Sequence, residues 1–261
     1  MNKDKLKGLL WGSFLGDAYN NSNKLSLYGK QTLWLLEHTL ENKVYDPFSF
    51  GNIWQKKMNQ EENIDKASKE TLANLKSGRT CLGAGSGSHD LSVVGRHAPI
   101  IFSVVGMDEI LESIKFHTCL THMTKETIEC SKYIAEVTLA MIYNLDVENT
   151  LKERAKFYGE MVEEEVEKAF NLKDKPHEIA LKLLGTNSEV EGALASTIYL
   201  VLNYHQDFEK LLEINKEAGK ATLARAMVAG MIIGARYGFE KIQPTWIENI
   251  HEYEKLNKLI G

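Results

Sequence analysis

Apolar residues recur at helical period along most of this chain, and this patterning limits the fold more than any other feature. Leu6, Leu9, Leu10, Ser13, Phe14 and Asp17 share one helical face. Leu33, Leu36 and Leu40 do the same over 32–40. Ile128, Ile134, Val137 and Met141 do so over 126–143, and Val190, Leu194, Ile198, Val201 and Leu202 over 189–204. The stretch 149–170 reads as one highly charged helix, and its 160–168 run as a solvated face. A further helix is expected over 222–237, ending at Gly238 as helices commonly do. The run 99–105 is β-like in composition, but with no partner strand in sight it reads as a buried helix. Gly12 and Gly16 on the first helix, and Gly230 and Gly234 on the last, stand four apart. Small residues at that spacing let a neighbouring backbone come close.

Pro176 and Pro244 fall between helices, and no Gly/Ser linker or repeat of fixed period divides the chain. The 261 residues, 43% hydrophobic and 26% charged, are therefore expected to form one all-α domain, 1–261. The net charge of −5 gives no general attraction to nucleic acid or to an anionic membrane. Cys81, Cys119 and Cys130 form no CxxC pair and are too sparse for a disulfide framework, which suits a reducing compartment. The N-terminal apolar stretch is short, stops at Asp17 and lacks a small-x-small cleavage site. It reads as a helix of the mature protein, so a cytoplasmic, non-membrane protein is expected.

The main non-helical stretch, 77–99, is rich in glycine, serine and histidine. Its Gly85, Ser86 and Gly87 could present backbone N–H groups to an anion, or form an ordinary flexible loop. Ser86-G-Ser88-His89-Asp90 contains the letters of a hydrolytic triad, but triads are assembled from distant segments and rarely from consecutive loop residues. His117, Cys119 and His122 offer two imidazoles and a thiol without an evident fourth ligand, so a buried, hydrogen-bonded His122 is the better reading.

Several motifs in order resemble the ADP-ribosylglycohydrolase family. Gly12-S-F-L-Gly16-Asp17-Ala18 is similar to its G-x-x-x-G-D-A opening, and the chain from Gly230 through Tyr237 and Ile242 to Trp246 is similar to its ending. Gly83-A-G-Ser86 resembles its G-N-G-S loop, Arg96-H-Ala98-Pro99 its M-R-x-A-P, and Thr121-His122 its Thr-His pair. The resemblance spans nearly the whole chain and implies that family's single all-α domain.

The resemblance also implies a chemistry resting on two magnesium ions, held by a T-D-D motif and by G-G-D-T-D-T. Magnesium needs oxygen ligands at about 2.1 Å, usually including carboxylates. Laid on this chain, the first motif falls on Gly29, Lys30, Gln31 and Thr32, and the second on Gly219, Lys220, Ala221, Thr222, Leu223 and Ala224. A family glutamate falls near Lys24. No carboxylate occurs over 24–36 or over 219–239, so a shift of one or two residues would restore no ligand. The expectation is a protein without the two-magnesium site, without metal or other cofactor, whose partner is a small anionic ligand resembling ADP-ribose. Lys30, Gln31, Thr32, Gly85, Ser86, Gly87, Lys220 and Thr222 are the candidate ligand-binding residues. A metal-free glycosidic hydrolase, with Asp17, His89 and Asp90 as candidate acid–base groups, is one alternative. A structural or regulatory protein with a vestigial cleft is the other.

Overall fold

The computed structural model describes residues 1–261. In chain order the helices are α1 (Lys3–Tyr19), α2 (Leu27–Asn42), α3 (Pro47–Met58), α4 (Lys66–Lys76) and α5 (Ala98–Ser103). They continue with α6 (Met107–Thr121), α7 (Lys125–Ile142), α8 (Val147–Ala155), α9 (Gly159–Asn171) and α10 (His177–Leu184). The remainder are α11 (Val190–Tyr204), α12 (Phe208–Glu217), α13 (Thr222–Tyr237), α14 (Pro244–Glu248) and α15 (Tyr253–Ile260). There is no β-sheet, only isolated bridges between Ser86 and His122 and between Asp90 and Glu189. The starts of many helices are written in the sequence. Asn2, Ser26, Asp46, Asp65, Thr124, Asp146 and Asp207 each accept a hydrogen bond from a first-turn N–H, supplying a partner that the helix itself cannot.

The centre is the antiparallel pair α1 and α13. A side chain added at Gly8 would strike the Gly234 carbonyl, at Gly12 the Gly230 carbonyl, and at Gly16 the Ala226 carbonyl. The glycine pairs seen in the sequence are thus the two sides of one seam, with Gly8 extending it. Around it, α2 and α5 pack on α1, the 3₁₀ turn Leu91–His97, α7 and α11 pack on α13, and α9 packs outside α11 and α7. One continuous core of 72 buried residues runs through the molecule, and no helix is long and apolar enough to cross a membrane.

Four expectations are corrected. The charged stretch 149–170 is two helices, α8 and α9, broken at Gly159, whose φ of 83° belongs to the left-handed region that favours glycine. Within its acidic run Glu165 is buried rather than solvated. The second helix begins at Leu27, five residues before Thr32, because Ser26 caps it there. The non-helical 77–99 stretch contains the 3₁₀ turn Leu91–His97, started by Asp90 accepting the Ser92 N–H at 2.7 Å. The run 99–105 lies largely within the buried helix α5, as the lack of a partner strand implies despite its β-like composition.

Candidate functional site

The first turn of α2 is built on Asp17. This carboxylate is fully buried and accepts the Ser26 N–H at 2.7 Å and the Ser26 hydroxyl, holding the residue that caps α2. Burial pushes the Asp17 carboxyl up to about 7, while its hydrogen bonds from Ser26 pull the other way. Gly29 passes directly over it; a Cβ there would collide with Asp17 Oδ2. The next three residues diverge. The Lys30 ammonium lies 2.6 Å from Glu61 at a half-exposed position. The Gln31 side chain is buried and its Oε1 accepts from Trp54 Nε1 at 2.8 Å and from Arg96. Thr32 is fully buried, and its hydroxyl donates to the Tyr28 carbonyl at 3.0 Å.

The glycine-rich loop turns its polar groups inward. The Ser86 N–H and hydroxyl both donate to the Thr121 carbonyl, at 2.9 and 2.8 Å. Gly85 packs against the Cys119 carbonyl, and the exposed Gly87 donates its N–H to Glu70 at 3.3 Å. The next N–H groups follow suit, Ser88 bonding to Ser86 Oγ and Asp90 to Ser88 Oγ, both at 3.2 Å. The Ser86 hydroxyl is therefore committed to Thr121 rather than to His89.

His89 instead faces Glu191, with Nδ1 3.4 Å from Oε1 and both side chains partly exposed. Glu191 owes its direction to a break in α11. Its ψ of 119° and the Gly192 φ of 85° are non-helical. The Gly192 N–H released by that break donates to the buried Glu165 carboxylate at 2.6 Å. Short backbone bonds, Leu91 N–H to Ser188 O at 2.8 Å and Val190 N–H to His89 O at 2.7 Å, hold the loop and the helix start together.

The second loop carries backbone strain. Gly219, Lys220 and Ala221 follow one another at φ of 64°, 39° and 42°, a region that the latter two reach only at a cost. Fully buried Arg225 pins this loop by donating to Gly219 O at 2.9 Å, Asn215 Oδ1 at 3.1 Å and Thr186 O at 3.2 Å. Burial lowers the Arg225 pKa to about 10, still leaving the guanidinium charged at neutral pH. Lys220 is exposed, pairs with no carboxylate, and precedes a helix start that no side chain caps. Thr222, half-buried, opens α13.

Burial raises the pKa of the Tyr28 hydroxyl at the start of α2, with the charges of Asp90 and Asp65 adding to it. Asp90 bridges to Glu189, and Arg225 ties Thr186 to Gly219. Sequence reasoning missed Glu61, Asp65, Glu70 and Glu191, acids that adjoin these loops from distant parts of the chain. Only the folded contacts place them here.

His122 is buried, with Nδ1 2.9 Å from the Thr121 hydroxyl, while His117 lies edge-on to His97 with ring centres 5.2 Å apart. No three His, Cys, Asp or Glu side chains converge as metal ligands here or elsewhere. Five surface cavities of ≈ 140 to ≈ 480 Å³ are lined by none of the candidate ligand-binding residues.

These helices and loops define an all-α protein of the ADP-ribosylglycohydrolase architecture. The family model described as ADP-ribosylglycohydrolase matches residues 1–261, and the chain belongs to that family. A solved structure titled "ADP-ribosylglycohydrolase-related protein complex" superposes with a TM-score of 0.81 at 17% identity, covering 99% of this chain and 96% of that one. It shares the fold. No curated protein sequence matches the chain.

Proposed function

We propose that this protein binds ADP-ribose, or a related phosphorylated ribose or nucleotide, in the cytoplasm, without the two-magnesium hydrolysis associated with its family. The residues at the motif positions are poor magnesium ligands. Lys30 is a cation, the Gln31 oxygen already has two donors, and Ala221 and Leu223 offer no side-chain oxygen. The observation that carries the reading is Lys220. It is an unpaired ammonium beside the uncapped N-terminus of α13, where backbone N–H groups and the helix dipole both favour an anion. Lys30 and Thr222 would contribute from the two helix starts, while Gln31, Thr32, Gly85, Ser86 and Gly87 shape the wall behind them. Calorimetry with ADP-ribose tests this. Binding should weaken with salt, and by about tenfold, ~1.4 kcal/mol, in Lys220→Ala. Absence of binding would leave the cleft vestigial and end the proposal.

A second reading is favoured by the His89–Glu191 pair, an imidazole with a carboxylate to orient it. Asp90 adjoins it, whereas Asp17 is committed to Ser26. A metal-free hydrolase would release ADP-ribose from an ADP-ribosylated peptide in the presence of chelator, and would lose this activity in His89→Gln.

A further inference from the structure

The protein carries a net charge of −5, yet three cations that form no ion pair meet around one concavity, the nearby acids Asp207 and Glu209 lining the adjoining hollow instead. Arg236 and Lys241 line a cavity of ≈ 480 Å³ together with Asn144, His205, Gln206 and Tyr237. Lys5, from the first turn of α1, reaches the same place and donates to Asn144 Oδ1. None of the protein's ion pairs includes Lys5, Arg236 or Lys241. The three sense one another. Burial first, then the charges of Arg236 and Lys241, lower the Lys5 pKa.

Helix capping accounts for part of this arrangement. Lys5 is 3.5 Å from the Met141 carbonyl at the C-terminal end of α7, and Arg236 donates to the Leu145 carbonyl in the turn that follows at 3.0 Å. A helix end supplies about half a negative charge, and the ends of α7 and α13 together supply about one against three positive charges. Asp4, the acid nearest Lys5, gives one carboxylate oxygen to the Glu240 N–H at 2.9 Å and packs the other against Gly238. Lys241 serves no helix end; its ammonium lies 5.9 Å from the Tyr237 ring centre.

We propose that this concavity is a second anion site, taking the phosphate group of a small molecule, with Arg236 and Lys241 as direct ligands and Lys5 as the charge behind them. The side-chain amides of Asn144 and Gln206 at its wall suit the remaining oxygens of a tetrahedral oxyanion. The cations cluster in one hollow of an acidic protein and are not spread along a face. This favours a small ligand over nucleic acid or a membrane. It lies at the opposite end of α13 from Lys220, about 24 Å away for a helix of 16 residues.

Inorganic phosphate and pyrophosphate, titrated into the full chain at constant ionic strength, test the proposal, with calorimetry for affinity and lysine side-chain NMR for location. Saturable binding should shift the Lys241 and Lys5 signals and raise the Lys5 pKa. It should weaken by about tenfold or more in Lys241→Glu and Arg236→Gln and persist in Lys220→Ala. Lys241 is exposed, so Lys241→Glu should keep its fold, which circular dichroism checks. No saturable binding, undiminished binding in Lys241→Glu, or shifts confined to Lys30 and Lys220 would each overturn the site. Failure of ADP-ribose to bind near Lys220 would leave it untouched.

Discussion

The ammonium of Lys30 rests 2.6 Å from the carboxylate of Glu61, a residue from the α3–α4 connection. The pair ties the start of α2 to that connection and offsets part of the lysine's charge. The same ion pair competes with any anion that would use Lys30. Glu61→Gln should therefore tighten ADP-ribose binding by about threefold to tenfold, under ~1.4 kcal/mol, as befits a partly exposed pair. Calorimetry checks it, and weaker binding would place Lys30 outside the ligand's reach.

Purified protein should carry no stoichiometric magnesium, and added magnesium should leave its melting temperature unchanged. An ion bound only by the folded state at 100 times its dissociation constant would add about 2.7 kcal/mol. A clear rise in melting temperature with magnesium, abolished by changes in the cleft, would sink the metal-free reading.

The central seam makes a sharper stability prediction. Gly12→Ala or Gly230→Ala would drive a methyl group into a backbone carbonyl of the facing helix, which cannot rotate away. Each should cost about 3 kcal/mol or more in urea unfolding. Gly83→Ala, which meets nothing within 4 Å, should stay within about 0.5 kcal/mol. Equal effects would refute the close helix approach.

Much of this architecture can be read directly from the residues. The bounds of α13 agree with apolar spacing and Gly238, because burial on one face and a left-handed stop both leave local marks. The glycine spacing on α1 and α13 announces close packing, though not that each helix is the other's partner. Loop chemistry is less legible. Glu61 and Glu191 adjoin the candidate cleft only through contacts across the fold, and nothing periodic points to them. Glu165 hides in an acidic run that looks solvated, although its carboxylate takes the Gly192 N–H at the α11 break.

That role gives Glu165→Ala an expected cost of about 1–3 kcal/mol, since it strips the part-buried Gly192 N–H of its acceptor. Hydrogen exchange at Gly192 should accelerate in the variant. An unchanged rate would show that the break holds itself.

Acid should destabilise the protein steeply. The folded-state pKa of His97 falls to about 3, and those of His117 and His122 fall well below the usual imidazole value, chiefly through burial with Arg96 adding to it. Below pH ~6.5 the unfolded chain takes up these protons and the folded chain does not, so stability falls as pH drops. Asp17, whose folded-state pKa is raised to about 7, acts oppositely between 3.8 and that value, where the folded chain keeps a proton that the unfolded chain has lost. The three imidazoles outweigh the single carboxyl, so stability slopes downward as pH falls from about 6 towards about 4. Urea unfolding across this range should show that slope, and a flat profile would mean that the imidazoles are charged or solvated.

The α1–α13 seam also bears on how the chain comes to be folded. Its two glycine faces lie near opposite ends of the sequence, so a growing polypeptide exposes the first long before the second exists. Closing a loop of that length is an entropic barrier that local helix formation cannot remove. Until α13 emerges, α1 has a backbone groove with nothing to fill it, and helices that pack on the pair have no floor. The emergence of α13 is thereby the step that makes the core possible. A fragment ending before Thr222 should remain a loose collection of helices that binds hydrophobic dyes and resists no protease.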